Sequence, residues 1–99
     1  MICRLWRALT SLEQADNYVT HLQATIFPQL RQLSGFVDAS ILRREVDRGA
    51  EFVVMTRWES LKAIEQFAGA DFTLAVVPPE TQRMMIDYDR SVRHYEVVG

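Results

Sequence analysis

The stretch Phe52-Val53-Val54-Met55-Thr56-Arg57-Trp58-Glu59-Ser60 decides how this chain folds. Phe52, Val54, Thr56 and Trp58 fall on one face of an extended run, and Val53, Met55 and Arg57 on the other. That is the period of a β-strand. Both faces are largely apolar, so both require cover. Glu59-Ser60 then turns the chain. Ser60 is placed to cap a helix carrying Leu61, Ile64, Phe67 and Ala68, and Gly69 stops it. The strand therefore ends in a large indole at the junction of sheet and helix, a position where small-molecule clefts form.

Upstream, Phe36 to Val46 reads as a strand, Asp47-Arg48-Gly49-Ala50 as a turn and Glu51 to Trp58 as its antiparallel partner. The first residues alternate too, Ile2, Arg4, Trp6 and Ala8 against Cys3, Leu5 and Arg7, which predicts a first strand. Ser11 with Gln14 three residues on is a capping-box pattern. Ala15, Tyr18, Val19, Leu22, Ile26, Leu30 and Leu33 follow at helical spacing. Pro28 removes a backbone donor and predicts a kink or split near Phe27, and Ser34-Gly35 ends the helix. Downstream, Phe72 to Val77 reads as a short turn or an extended link. Pro78-Pro79 opens a helix over Thr81 to Tyr88 that carries Met84, Met85 and Tyr88. Arg90 to Val98 closes the chain as a strand, with Val92, His94 and Glu96 opposite Arg93, Tyr95 and Val97.

The order β-α-β-β-α-(α)-β predicts a single α+β domain spanning residues 1–99, with a ferredoxin-like antiparallel sheet and helices on one face. The apolar face left over predicts a homodimer, sheet against sheet, with Val53, Met55 and Tyr95 near the interface. A chain of 99 residues buries only about two-thirds of its unfolded surface, which suits stability shared with a second copy.

Composition narrows the function. A net charge of −2 gives no basic face for nucleic acid. Ten of the eleven basic residues are Arg, the side chain suited to fixed pairing with carboxylates, and thirteen acidic residues are present to pair with them. Cys3 is alone, so no intrachain disulfide is expected and a reducing cytoplasm suits the chain. MICRLWRAL does not read as a signal peptide, and no run approaches the roughly 18 apolar residues of a membrane span. Two His and one Cys far apart give no metal-ligand spacing. There is no Gly-rich phosphate loop and no Gly-x-Ser-x-Gly elbow. Neither a metal nor a cofactor is expected.

TRWES (56–60), the Gly35-Phe36 entry to the second strand and the closing HYEVV (94–98) resemble the antibiotic biosynthesis monooxygenase family. FAGADFTLAVVPPE (67–80) and YDRSVRHYEV (88–97) are similar to its small, mostly uncharacterised members. The resemblance covers nearly the whole chain. It implies a dimeric α+β barrel with a cleft between helices and sheet in each protomer. It also implies a choice of chemistries: cofactor-free oxygenation of polyketide quinols, quinol oxygenation, or haem degradation. The haem-degrading branch uses an Asn on the first strand, a Trp ending the third and a His on the next helix. Trp58 matches the Trp. Trp6 stands at the Asn position and Phe67 or Ala68 at the His position, and the only Asn is Asn17. Two of the three positions are therefore missing, and haem binding is the reading set aside.

Within that frame the expected site is an aromatic-lined cleft made by Trp6, Trp58, Phe67 and Phe72, and its ligand is a small aromatic molecule. Trp58 either stacks on a planar substrate or plugs the core. Arg4 shares a face with Trp6 and holds an anionic or phenolate oxygen, unless it pairs with Glu96. His94 titrates near neutrality and is the candidate base for a phenol or quinol. Its structural alternative is a bond to Asp87 or Asp89, or burial at the dimer interface. His21 on the first helix either faces the cleft or is solvated. Tyr88 and Tyr95 either donate to a ligand or pack. The expected function is cofactor-independent monooxygenation of a small phenol or quinol; the alternative is a dimeric binding or sensing module without turnover.

Overall fold

The computed structural model describes all 99 residues. Its centre is β1, Ile2–Thr10, which pairs on one side along its whole length with β3, Gly49–Trp58. Beyond β3 lies β2, Phe36–Val46. On its other side β1 meets two short strands: β4, Met85–Tyr88, beside its C-terminal half, and β5, Arg93–Glu96, beside its N-terminal half. Every pairing is antiparallel, and the sheet order is β2-β3-β1-β4 with β5 also on β1. The α+β, ferredoxin-like class is as the sequence predicts.

The β2–β3 hairpin closes more tightly than expected, since β3 already begins at Gly49. Gly49 has φ +148, and a Cβ there would run into the Thr10 carbonyl. Glycine thus lets the hairpin tip close on the end of β1. Ser11 caps α1, Leu12–His21, by accepting a bond from the Gln14 N–H at 3.2 Å. The split expected near Pro28 takes a specific form. Leu22–Ile26 widens into a π turn, and α2, Phe27–Leu30, follows with Pro28 in its first turn. The Phe27 N–H bonds to the Leu22 carbonyl. The extra residue in that turn is a common way to fit a proline into a helical path. Ser60 caps α3, Leu61–Ala68, by accepting from the Ala63 N–H at 3.1 Å.

The C-terminal third departs from the sequence reading. The helix expected over Thr81 to Tyr88 is only one turn, α4, Pro79–Gln82, and Met85–Tyr88 is a strand. Ala8 faces Tyr88 and Leu9 faces Asp87 across the ladder. The backbone groups on that side of β1 need partners, and this need outweighs a weak helical pattern. The single last strand expected from Arg90 to Val98 is likewise shortened to β5. Between β4 and β5 the chain bulges, and its backbone turns outward to the link after α3. The Ala75 N–H donates to the Arg90 carbonyl at 2.9 Å and the Val92 N–H to the Thr73 carbonyl at 2.8 Å. Leu74 and Ser91 form a one-residue bridge. Phe72 to Val77 combines the two readings: Phe72 and Thr73 form a turn closed by the Leu74 N–H on the Asp71 carbonyl at 3.3 Å, and Leu74 to Val77 run on as the extended link.

The core lies on one side of the sheet. Tyr18, Leu22, Phe27 and Leu30 from the helices meet Phe52, Val54 and Trp58 of β3 and Ile64 of α3. The other face carries no helix. Leu5, Val53 and Met55 are half-buried there, and Leu42 and Tyr95 are exposed. Ion pairs flank this apolar middle: Arg7 and Arg44 with Glu51 at 2.8 and 2.7 Å, and Arg57 with Asp38 at 3.2 Å. No helix is long and apolar enough to cross a membrane.

Candidate functional site

A cavity of about 140 Å³ opens between the helix-covered face of the sheet, the π turn and the link after α3. β1 supplies Arg4 and Trp6, and β3 supplies Val54 and Thr56. α1 and the turns after it supply Tyr18, Leu22, Ile26 and Phe27. Phe67 of α3, Val76 and Pro78 of the link, and Thr81 of α4 complete most of the wall. The lining is mainly hydrophobic with a few polar groups, the usual makeup of a ligand site.

Arg4 is the unusual member. It is only 5% exposed. Its guanidinium donates to the Phe72 carbonyl at 2.5 Å and the Leu74 carbonyl at 3.1 Å, and Nη1 lies 3.0 Å from His94 Nε2. The Phe67 ring centroid is 5.7 Å from its central carbon. No carboxylate is within 4.0 Å, so the pairing with Glu96 considered from the sequence is not made. Burial pulls its pKa down to about 10, and the group stays cationic at neutral pH.

Arg has only donors, so His94 Nε2 is the acceptor in that contact. His94 is then neutral with its proton on Nδ1. Burial first, and the Arg4 charge second, hold its pKa below the ordinary value. Its side-chain partner is Arg4, and its ring stands edge-on to Phe72 at 5.3 Å. The bond to Asp87 or Asp89 is not formed.

Trp6 lines the cavity, and its Nε1 donates to the Asp89 carbonyl at 2.6 Å. Trp58 does not line it. It is fully buried, its Nε1 donates to Thr56 Oγ1 at 2.9 Å, and Phe36 and Phe67 pack on it at 5.2 and 6.2 Å. Phe72 contributes its carbonyl and its edge but no wall. Tyr88 stands behind Trp6 at 5.9 Å. His21 Nε2 meets Thr81 Oγ1 at 2.8 Å, so it holds a rim residue without lining the cavity. Of the residues expected from the sequence, Arg4, Trp6 and Phe67 line the hollow. Trp58, Phe72, His94, Tyr88 and His21 stand one layer back, each touching a lining residue or bonded to one.

The sequence marks Tyr18 only as part of a helix's apolar stripe. It is fully buried, and its ring stands edge-on to Phe52 at 5.0 Å. Its hydroxyl is the one buried side-chain polar atom without a hydrogen-bond partner. Spacing along a helix cannot separate such a tyrosine from a core residue. No group of three or more His, Cys, Asp or Glu side chains comes together.

No protein-family profile matches the chain, and comparison with curated proteins gives no match. Solved structures do share its fold. A candidate antibiotic biosynthesis monooxygenase from Bacillus cereus is 22% identical with a TM-score of 0.64, covering 100% of this chain and 94% of its own. The ActVA-Orf6 monooxygenase of Streptomyces coelicolor, solved with nanaomycin D, is 16% identical at TM-score 0.63, covering 99% and 88%. SnoaB of Streptomyces nogalater, a cofactor-independent oxygenase, is 15% identical at TM-score 0.59, covering 99% and 93%. The chain has the fold of the antibiotic-biosynthesis-monooxygenase-like proteins, as the resemblance implied.

Proposed function

We propose that the chain is a cofactor-independent monooxygenase whose cavity binds a small phenol or quinol as its anion. Arg4 carries this reading. A buried cation without a counter-charge is costly, and an anionic ligand offsets that cost. The rest of the wall is apolar and aromatic, so the anion it fits is a phenolate or quinolate. The size of the hollow suits one inserted ring, since a dry cavity of about 150 Å³ elsewhere accepts benzene. Two neighbours of the same fold are oxygenases, one described as cofactor-independent and the other solved with nanaomycin D.

The chemistry follows from the charge. An incoming phenol takes over the Arg4 N–H now directed at His94 and delivers its proton to Nε2, making His94 the base. The phenolate is electron-rich and passes one electron to O2. Recombination at a ring carbon bearing hydrogen gives a hydroperoxide, which loses water to leave the quinone. One oxygen atom enters the ring and the other leaves as water, so no external reductant is required. Trp6 and Phe67 hold the ring plane, and Arg4 holds the oxygen by charge-assisted hydrogen bonds. Trp58, Phe72, Tyr88 and His21 serve by keeping these residues in place.

The uncovered sheet face completes the proposal. Its apolar middle, with Val53, Met55 and Tyr95, pairs with a second copy under two-fold symmetry. Sedimentation is expected to give twice the 11.5 kDa of one chain. Oxygen uptake with model quinols and anthrones tests the reaction. Turnover that persists unchanged in His94→Ala would remove that residue from the mechanism. Binding without oxygen uptake would leave a binding module.

A further inference from the structure

Resting on the phenol reading, we infer that the hydrogen bond between His21 and Thr81 sets the width of ligand the cavity accepts. With the bond made, the hollow takes one ring. A fused pair of rings enters only by breaking it.

The walls of the cavity differ in how they are held. Leu22, Phe27, Leu30 and Val54 belong to the buried core cluster, and packed interiors yield little to an extra group. Arg4 is fixed by two carbonyls and His94, and Trp6 by the Asp89 carbonyl. Phe67 is stacked on Trp58 at 6.2 Å. Val76, Pro78 and Thr81 are held otherwise. All three lie in the segment from Val76 to Arg83.

That segment is braced within itself and scarcely tied to its surroundings. The Thr81 and Gln82 N–H groups donate to the Pro78 carbonyl at 3.0 Å, and the Arg83 N–H donates to the Pro79 carbonyl at 3.1 Å. Gln82 Nε2 donates to the Val77 carbonyl at 2.8 Å. No backbone hydrogen bond runs from the segment to another element. The last anchor before it is the Ala75 N–H on the Arg90 carbonyl, and the ladder resumes after it at Met85, opposite Thr10. Val76 is exposed, and Val77 is half-buried without packing on the core cluster. Glu80 and Arg83 form no ion pair. One side-chain bond reaches outward, from Thr81 Oγ1 to His21 Nε2 at 2.8 Å, and Thr81 is the one buried residue of the segment.

The segment is thus a stiff piece between two anchored ends, pinned at its middle by a single hydrogen bond. A ligand wider than one ring needs some wall to move. Giving up that bond costs less than repacking the core, so this is the wall that moves. The loss falls on a wide ligand alone. His21 acts through Thr81 and is a positioning residue.

Titration of 4-methylphenol and of 2-naphthol, without oxygen, into the parent protein, Thr81→Val, His21→Leu and Thr81→Ser tests this. Valine keeps the shape of threonine without its hydroxyl, and serine keeps the hydroxyl. Thr81→Val and His21→Leu are each expected to raise the affinity for the naphthol relative to the methylphenol about fivefold over the parent's ratio, which is what one hydrogen bond contributes. Thr81→Ser is expected to keep the parent's ratio. In the parent, the naphthol should shift the imidazole resonances of His21 and the methylphenol should leave them in place. A ratio unchanged in both Thr81→Val and His21→Leu, or an equal weakening of both ligands, would overturn the inference and leave the phenol reading standing. Failure of both ligands to bind the parent would bring down the reading itself and the inference with it.

Discussion

Trp6 and Trp58 project from the same face of the sheet on neighbouring strands, yet their surroundings differ. Trp58 lies under α3 and is closed in by Phe36 and Phe67. Trp6 lies toward the link after α3 and the bulge between β4 and β5, and a cavity remains beside it. A helix brings a row of side chains at regular spacing and fills the space below it. An extended link turns backbone inward as well. Here two of its carbonyls accept from Arg4, which holds the guanidinium in the wall of the hollow. One indole therefore supports the fold, while the other borders a cavity.

The largest effect expected from that contrast is on stability. Trp58→Ala should cost about 3–5 kcal/mol, because it opens a void in the packed core. Trp6→Ala should cost about 1–2 kcal/mol and weaken ligand binding instead. Denaturant unfolding of the two variants measures both, and equal losses would break the comparison. Next, Arg4→Met should lower phenolate affinity about tenfold or more. It should also speed amide exchange between residues 72 and 75, since the link loses the two bonds that hold it.

A smaller effect concerns pH. The folded protein holds His94 below its ordinary value of 6.5 through burial and the Arg4 charge. The unfolded chain then binds the proton more readily as pH falls through 6.5. This contribution to stability is complete above that value and is lost on acidification toward the folded-state pKa. In His94→Gln the unfolding midpoint should fall less between about pH 7.5 and about pH 5 than in the parent. Smallest is Ser60→Ala, which uncaps α3 beside Trp58. It should cost about 1 kcal/mol without changing ligand affinity.

The sequence reached the filled end of this face more fully than the hollow end. Ser11, Ser60 and Gly69 mark helix ends by local chemistry, and the alternation around Val54 sorts the two faces without reference to distant residues; Gly35 instead serves the turn into β2, because α2 already stops at Leu30. The segment Met84 to Tyr88 misleads because its strand pairing depends on Ala8 and Leu9, far away in sequence. The same limit applies to the site. Arg4 and Trp6 are legible as unusual residues on a core-facing strand. The carbonyls of Phe72 and Leu74 that hold Arg4 leave no trace in side-chain identity. Tyr18 differs from an ordinary core residue only by a missing partner, which is a property of its assembled neighbourhood.

The chain has only two tryptophans, Trp6 and Trp58, and the fold places one beside the hollow and the other in dry interior. Its ultraviolet emission thus comes from two lamps with separate meanings. A ring entering the hollow dims Trp6 and leaves Trp58 bright, while loss of the fold reddens both. Occupancy and integrity can be followed in one cuvette, without attaching a dye.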